Sequence, residues 1–301
     1  MINMILRDLI SKIMIAILII LPIIGLIPLF HIIIITFYNG LTILLRNPLE
    51  ILISEPPAPG SESLGGIGPY IVGTLILVSL ASLIGIPISI LAAAYSVESM
   101  SRRVGFITTL VTRIMIEFPT IVIGVSVYGS IIILEIILNH LISTFGMQEL
   151  IYIPRFNALS GAIALSIVMI PYVYTQVEDG LRRVPHHIRE AVYSLGFSRT
   201  RVVIILGGYI KSAILSGLMI GISKIMGETA PLLFTAFGND YYVTKFPDIL
   251  LNPIGSLTLW IYKAGLSPYN NWIELAWVAS MILILLTIVL FSISRYIMYR
   301  R

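Results

Sequence analysis

The amino-acid sequence predicts an all-α integral membrane protein with six transmembrane helices. Three observations predict it: a composition too apolar for a water-facing surface, six apolar runs of span length, and a one-sided distribution of arginine and lysine. Of the 301 residues, 57% are hydrophobic and 11% are charged, and the mean hydropathy is +0.99. Soluble domains carry about 25% charged residues. So little charge leaves lipid as the solvent that suits this chain. The net charge is +4. Its charges lie between apolar runs and form no continuous basic face, which argues against a nucleic-acid partner. The chain has no cysteine, which excludes disulfides, thiolate metal ligands and cysteine catalysis.

A bilayer core of ~30 Å needs about 20 apolar residues in a helix. The qualifying runs are roughly Ile13–Phe37, Ile71–Tyr95, Ile114–Leu138, Ala158–Tyr174, Ala213–Phe237 and Ile273–Ser294. The first is longer than the ~7–15 residues of a signal-peptide core and lacks a small-residue cleavage site after it, so it reads as a retained span. With the N-terminus inside, fourteen Arg and Lys fall on inner segments. Four, Arg46, Arg155, Lys245 and Lys263, fall on outer ones, and Lys224 lies within the membrane. The positive-inside rule then places both termini in the cytoplasm of a multi-pass protein of the cell (plasma or inner) membrane.

Residues Tyr38–Pro69, rich in Pro and Gly, predict an irregular, solvated outer loop. The last outer loop holds an apolar stretch, Ile249–Tyr262, interrupted by Pro253 and Gly255. It is too short to span and predicts a helix near the outer surface or dipping into the bundle. Prolines 22, 28, 87, 119, 171 and 231 fall in the spans. They read either as packing irregularities or as hinges.

The inner segment at about 178–211 is the most informative. Pro185 is placed to open a helix, Gly196 to end it in the left-handed conformation, and Ser198 to cap the next. The result is a helix–turn–helix on the cytoplasmic side. Ile188, Ala191, Val192 and Leu195 follow the spacing of one apolar face. That face either folds onto its own loop or docks into a groove on a partner. His186 and His187 are adjacent, point about 100° apart on a helix, and make a poor metal pair; they read as solvated loop residues. Within the fifth run, Lys224 and Glu228 are four apart and can pair on one helix face. Ionisable groups at the bilayer centre cost about 2.5–3.5 kcal/mol and mostly face an interior path. The pair is either a station for an anion in transit or a structural tie between helices. Gly217 and Gly221 allow close helix contact, with the subunit interface as one candidate.

Glu190-Ala191-Val192, three residues and Gly196 resemble the Glu-Ala-Ala-x-x-x-Gly loop of binding-protein-dependent ABC importer permeases, with Val in place of the second Ala. Leu206-Gly207 stands where the family usually has Leu-Pro. Gly227-Glu228-Thr229-Ala230-Pro231 and on to Ala236 resemble the signature of PstA-type phosphate permeases. That family usually carries Arg four residues before the Glu; Lys224 keeps the charge and loses the bidentate fork. Further resemblance lies in Pro119–Gly124, Met169-Ile170-Pro171, Glu178 to Pro185, Asn252–Leu257 and Trp272 to Trp277, so it covers about Tyr70 to the end. The chain then divides into residues 1–69, a first transmembrane helix with its outer loop, and 70–301, the permease domain.

The resemblance implies a MetI-like fold, a PstC-type second permease, two PstB-type ATPase subunits and a PstS-type external phosphate-binding protein. It implies that Glu190, Ala191, Val192, Leu195 and Gly196 couple to the ATPase. Lys224, Glu228 and Thr229 would line the phosphate path. ATP and Mg would belong to the partner ATPase, and this chain would bind no cofactor and no metal. No Gly-x-x-x-x-Gly-Lys-Ser/Thr loop, His-Glu-x-x-His or Gly-x-Ser-x-Gly motif is present, which points to a non-catalytic subunit. The alternatives are a permease for another oxyanion, such as sulfate or molybdate, and a gradient-driven carrier, whose usual marks are inverted repeats and discontinuous helices.

Overall fold

The computed structural model describes residues 2–98, 102–144, 152–243 and 245–299. They form thirteen helices: α1 (Ile2–Leu44), α2 (Pro48–Ile53), α3 (Gly68–Glu98), α4 (Arg102–Glu117), α5 (Thr120–Thr144), α6 (Ala158–Arg182), α7 (His186–Ser194), α8 (Arg199–Tyr209), α9 (Lys211–Met226), α10 (Ala230–Thr235), α11 (Asp248–Leu251), α12 (Leu257–Gly265) and α13 (Asn270–Tyr299). Among the described residues, one isolated bridge between Phe237 and Ile254 is the β pairing present. Helix is the expected outcome, because a chain in lipid must satisfy its backbone groups internally. Helices α1, α3, α5, α6 and α13 are long and apolar enough to cross a bilayer. A sixth span arises if α8 and α9, bent by 79°, count as one. Gly207 and Gly208 precede that bend and offer no side chains to hold the helix straight.

Helix α6 is the centre of the bundle, and small residues bring its neighbours close. A Cβ on Gly161 would sit 3.0 Å from Leu77 of α3, and one on Gly85 of α3 would sit 3.3 Å from the Ser166 carbonyl. On its other side α6 meets α9. A Cβ on Gly221 would lie 2.6 Å from Val173, and one on Gly217 would lie 3.0 Å from Gln176. The Gly217/Gly221 pair therefore serves a contact inside this chain. Close backbone approach of this kind drives association in lipid, where apolar burial gives little.

Two of the apolar runs are broken in the structure. The run Ile114–Leu138 is interrupted at Phe118–Pro119, so its first residues belong to α4 and its span begins at Thr120. The run Ala213–Phe237 ends its helix at Met226; Gly227, Glu228 and Thr229 lie in a break before the short α10. Pro119 and Pro231 stand at these breaks, while Pro22, Pro28, Pro87 and Pro171 lie inside continuous helices.

The first outer loop is only in part the irregular, solvated segment its Pro and Gly content predicts: Ala58–Gly60, Glu62 and Ser63 are exposed and outside any helix, while its flanks are packed. Ile51 of α2 and Ile67 are fully buried with Tyr70, Trp260 and Trp272. Trp272 Nε1 donates to the Pro57 carbonyl at 3.0 Å, and Asn271 Nδ2 donates to the carbonyls of Ser61 and Ser63 at 3.1 and 3.2 Å. The last outer loop does dip into the bundle. In α12 the Ser256 hydroxyl caps the helix by accepting from Leu259 N–H, and Leu257, Trp260 and Ala264 are buried. This packed end and the α7–α8 hairpin sit at opposite ends of α6, since Asn157 N–H and Ala158 N–H donate to the carbonyls of Thr235 and Asn252.

Candidate functional site

Two charged regions stand out. The first is the break between α9 and α10. Lys224 lies in the last turn of α9, where a cation offsets the helix dipole. Its Nζ is 2.6 Å from Glu228 Oε1. The predicted pair forms, yet not along one helix face: Glu228 lies beyond the end of α9, and its N–H donates to the Ile225 carbonyl as the chain turns. The Glu228 carbonyl accepts from the Thr258 hydroxyl of α12 at 2.9 Å, which ties the break to the inserted helix. Thr229 is the residue preceding α10, half-buried, with its carbonyl accepting from Leu232 and Leu233. Lys224 Nζ also stands 5.9 Å from the centre of the Tyr172 ring.

The partners of this pair are exposed to different degrees. The Glu228 side chain is 10% exposed and the Lys224 side chain 39%. The carboxylate is set in the protein and the ammonium faces outward from it. An ammonium carries three donors, and the bond to Glu228 takes one. The arrangement suits transient neutralisation of an anion by a point charge already held in place.

The second region is the α7–α8 hairpin. Pro185 precedes α7, Gly196 has φ +73° in the turn, and Ser198 is the residue preceding α8, all as the residue types predict. The Ser198 side chain makes no capping bond. His186 and His187 lie on α7 and not in a loop; His186 Nδ1 is 3.1 Å from Glu190 Oε1 on the exposed surface. The apolar face divides. Ile188 and Val192 pack against the core, together with Tyr193 and Phe197. Ala191 and Leu195 face outward with Glu190 and Gly196, and Leu195 is 67% exposed. A large apolar side chain held outward on a short helix that is no span candidate is what a docking surface requires.

Sequence reasoning missed the residue that holds the hairpin. Glu98, at the end of α3, has a side chain only 5% exposed. Its carboxylate pairs with Arg189 and accepts from Tyr193 Oη at 2.7 Å. Its backbone carbonyl accepts from Arg199 Nη1 of α8 at 3.1 Å. Arg189 Nη2 donates in addition to the Leu181 carbonyl at the end of α6, at 2.8 Å. Burial first, then the Glu98 hydrogen bond and charge, hold the Tyr193 phenol above its ordinary pKa. A second missed cluster lies one turn inward. Glu178 accepts from Thr109 at 2.7 Å and from Arg182 Nε and Nη2 at 3.0 and 2.7 Å, which ties α4 to α6. Among the described residues no group of three or more His, Asp or Glu is gathered as a metal site would need.

With this geometry in view, residues 85–301 match the family described as binding-protein-dependent transport system inner membrane component. The chain belongs to that family. Among similar proteins is the "Probable phosphate transport system permease protein PstA" of Methanocaldococcus jannaschii, 37% identical over 92% of this chain and 89% of the relative. The "Phosphate transport system permease protein PstA" of Pasteurella multocida is 31% identical over 82% of this chain and 80% of its own. That of Yersinia pestis is 32% identical over 83% and 78%. The match to the inner membrane component family spans both charged regions, from within α3 to the end of α13. It also accounts for the MetI-like helical architecture expected from the resemblance.

Proposed function

We infer that this chain is the membrane permease subunit of an ATP-driven importer for inorganic phosphate. The similar proteins named as phosphate permeases support the substrate. The observation that carries the reading is the Lys224 ammonium, partly exposed beside a buried Glu228 at a helix break. Phosphate would pass this point, meeting Lys224, with Glu228 and Thr229 shaping the approach. The carboxylate beside the cation keeps a doubly charged anion from being trapped, because it competes for the same ammonium.

Energy enters from outside the chain. Glu190, Ala191, Leu195 and Gly196 form the outward surface on which a PstB-type ATPase subunit would dock, with Val192 packed behind them against the core, and ATP and Mg would belong to that partner. A PstC-type second permease would complete the path, and a PstS-type protein would deliver phosphate to the outer face. Both termini then lie in the cytoplasm. The non-catalytic reading follows from this division of labour.

The test is uptake of labelled phosphate into proteoliposomes holding the complete complex. Uptake is expected only with ATP on the ATPase side and binding protein on the other. Phosphate movement by this chain with no ATPase present, driven by a gradient alone, overturns the reading. Competition by unlabelled phosphate and indifference to sulfate and molybdate are expected; inhibition by either oxyanion reassigns the substrate.

A further inference from the structure

We propose that Glu98 is the joint through which the ATPase-docking hairpin moves the membrane bundle: a positioning residue that welds α7 and α8 to the inner end of α3. This rests on the proposed coupling role of α7.

The geometry has three parts. Arg189 and Tyr193 are one turn apart on α7, and both reach the Glu98 carboxylate. Arg199 belongs to α8, on the other side of the Gly196 turn, and reaches the Glu98 carbonyl. One residue of α3 is therefore gripped from both arms of the hairpin, which fixes its angle as well as its position. Arg189 also holds the Leu181 carbonyl, so the same side chain ties in the end of α6.

A joint of this kind is needed. Helix α7 has nine residues, and isolated helices shorter than about 12–15 residues are marginal in water. Its apolar contacts are also modest, because Ile188, Val192 and Tyr193 are only partly buried. A load applied at Leu195 would slide or melt such a helix unless it were pinned at a point. The Glu98 carboxylate supplies that pin; its pair with Arg189 is mostly buried and so little screened by salt, and removing one partner leaves the other charge uncompensated. From Glu98 the connection continues through packed helices. Helix α3 meets α6 at Gly85 and Gly161, and α6 meets α9, which carries Lys224, at Gly217 and Gly221.

The experiment uses the assembled complex in proteoliposomes and reads ATP hydrolysis and phosphate uptake together. Glu98→Ala is expected to keep the ATPase bound while phosphate carried per ATP falls about 10-fold. Glu98→Gln, which preserves shape and so guards against misfolding, is expected to show a smaller fall in the same ratio. A reconnection variant sharpens this. The chain has no cysteine, so Glu98→Cys with Tyr193→Cys, in a complex whose other subunits are cysteine-free, places two unique thiols at the joint. A short reducible bis-thiosulfonate bridge is expected to restore the uptake-to-ATP ratio, and reduction to remove it again. An unchanged ratio in Glu98→Ala and Glu98→Gln, or a bridge that abolishes uptake, overturns the joint. If the unaltered complex shows no ATP-driven uptake, the coupling reading itself fails, which is a different result.

Discussion

Two of the carboxylate–cation pairs, Glu98–Arg189 and Glu228–Lys224, are built in opposite ways from the same chemistry. At the end of α3 Glu98 is shut in: its partner Arg189 is 91 positions away in sequence, Tyr193 fills the second oxygen, and Arg199 holds the backbone. At the membrane break Glu228 pairs with Lys224, four residues away, and the ammonium is left partly open. The first pair joins separate helices, and both carboxylate oxygens are already engaged by this chain. The second joins a helix end to the turn beyond it and leaves a cation reachable. In the proposed reading, the closed pair between elements would carry force and the open pair at a break would receive charge. Burial alone does not separate the two pairs, since both carboxylates are buried.

The strongest way to break the contrast is to reverse the open charge. Lys224→Glu sets two carboxylates against each other with no cation between them, an arrangement that disfavours ionisation of both. Phosphate uptake is expected to fall about 100-fold or more, with the complex still assembling. Lys224→Arg restores the fork that similar permeases are expected to carry and should retain uptake. Assembly measured by co-purification and uptake measured in the same vesicles separate the outcomes. Loss of assembly in Lys224→Glu, or full uptake in it, would make the pair a structural tie.

A second substitution sharpens the contrast at the hairpin, where one helix has an inward and an outward side. Leu195 is exposed and Ile188 packs inward on the same apolar stripe. Leu195→Asp is expected to weaken ATPase association about 10-fold or more while the permease stays folded, as loss of an exposed apolar anchor does. Ile188→Asp buries a charge and is expected to lower thermal stability as well. Equal stability loss in both variants would mean that Leu195 is packed after all.

How much of this was legible in the sequence depends on how local the cause is. The hairpin was legible because Pro185, Gly196 and Ser198 each act on their own backbone. The Lys224–Glu228 pair was legible because four residues separate them. The break between them was not: hydropathy is a sum over a window, and Gly227 with Pro231 changes that sum little. Pro119 ends a helix while Pro87 and Pro171 do not, and the difference lies in what neighbouring helices satisfy, which a single sequence does not display. The outer loop misled for a related reason. Its Pro and Gly content describes turns correctly, but the burial of Ile51 and Ile67 depends on Trp260 and Trp272, some two hundred residues on. Glu98 was invisible because its partners lie on another helix and impose no period on its surroundings. The discontinuous helices that mark gradient-driven carriers do occur here, at α9–α10 and α8–α9, so that mark alone does not separate the two transporter classes.

The smallest expected effect concerns the Tyr193 hydroxyl, and its sign can be worked out. Burial and the Glu98 carboxylate raise the phenol above its ordinary value of 10.0. The protonated form is the one that donates to Glu98. Its contribution to stability is therefore full at any pH below the unfolded value and is lost only as pH rises through the raised folded value. Tyr193→Phe removes one donor to a charged acceptor that keeps Arg189, and a fall of about 2-fold in phosphate carried per ATP is expected. Because Tyr193 stays protonated from about pH 6 to about pH 9, the ratio between the variant and the parent should be flat across that range. A ratio that drifts within it would place the titrating group elsewhere in the joint. No difference at any pH would leave Arg189 and Arg199 holding Glu98 without help from the phenol.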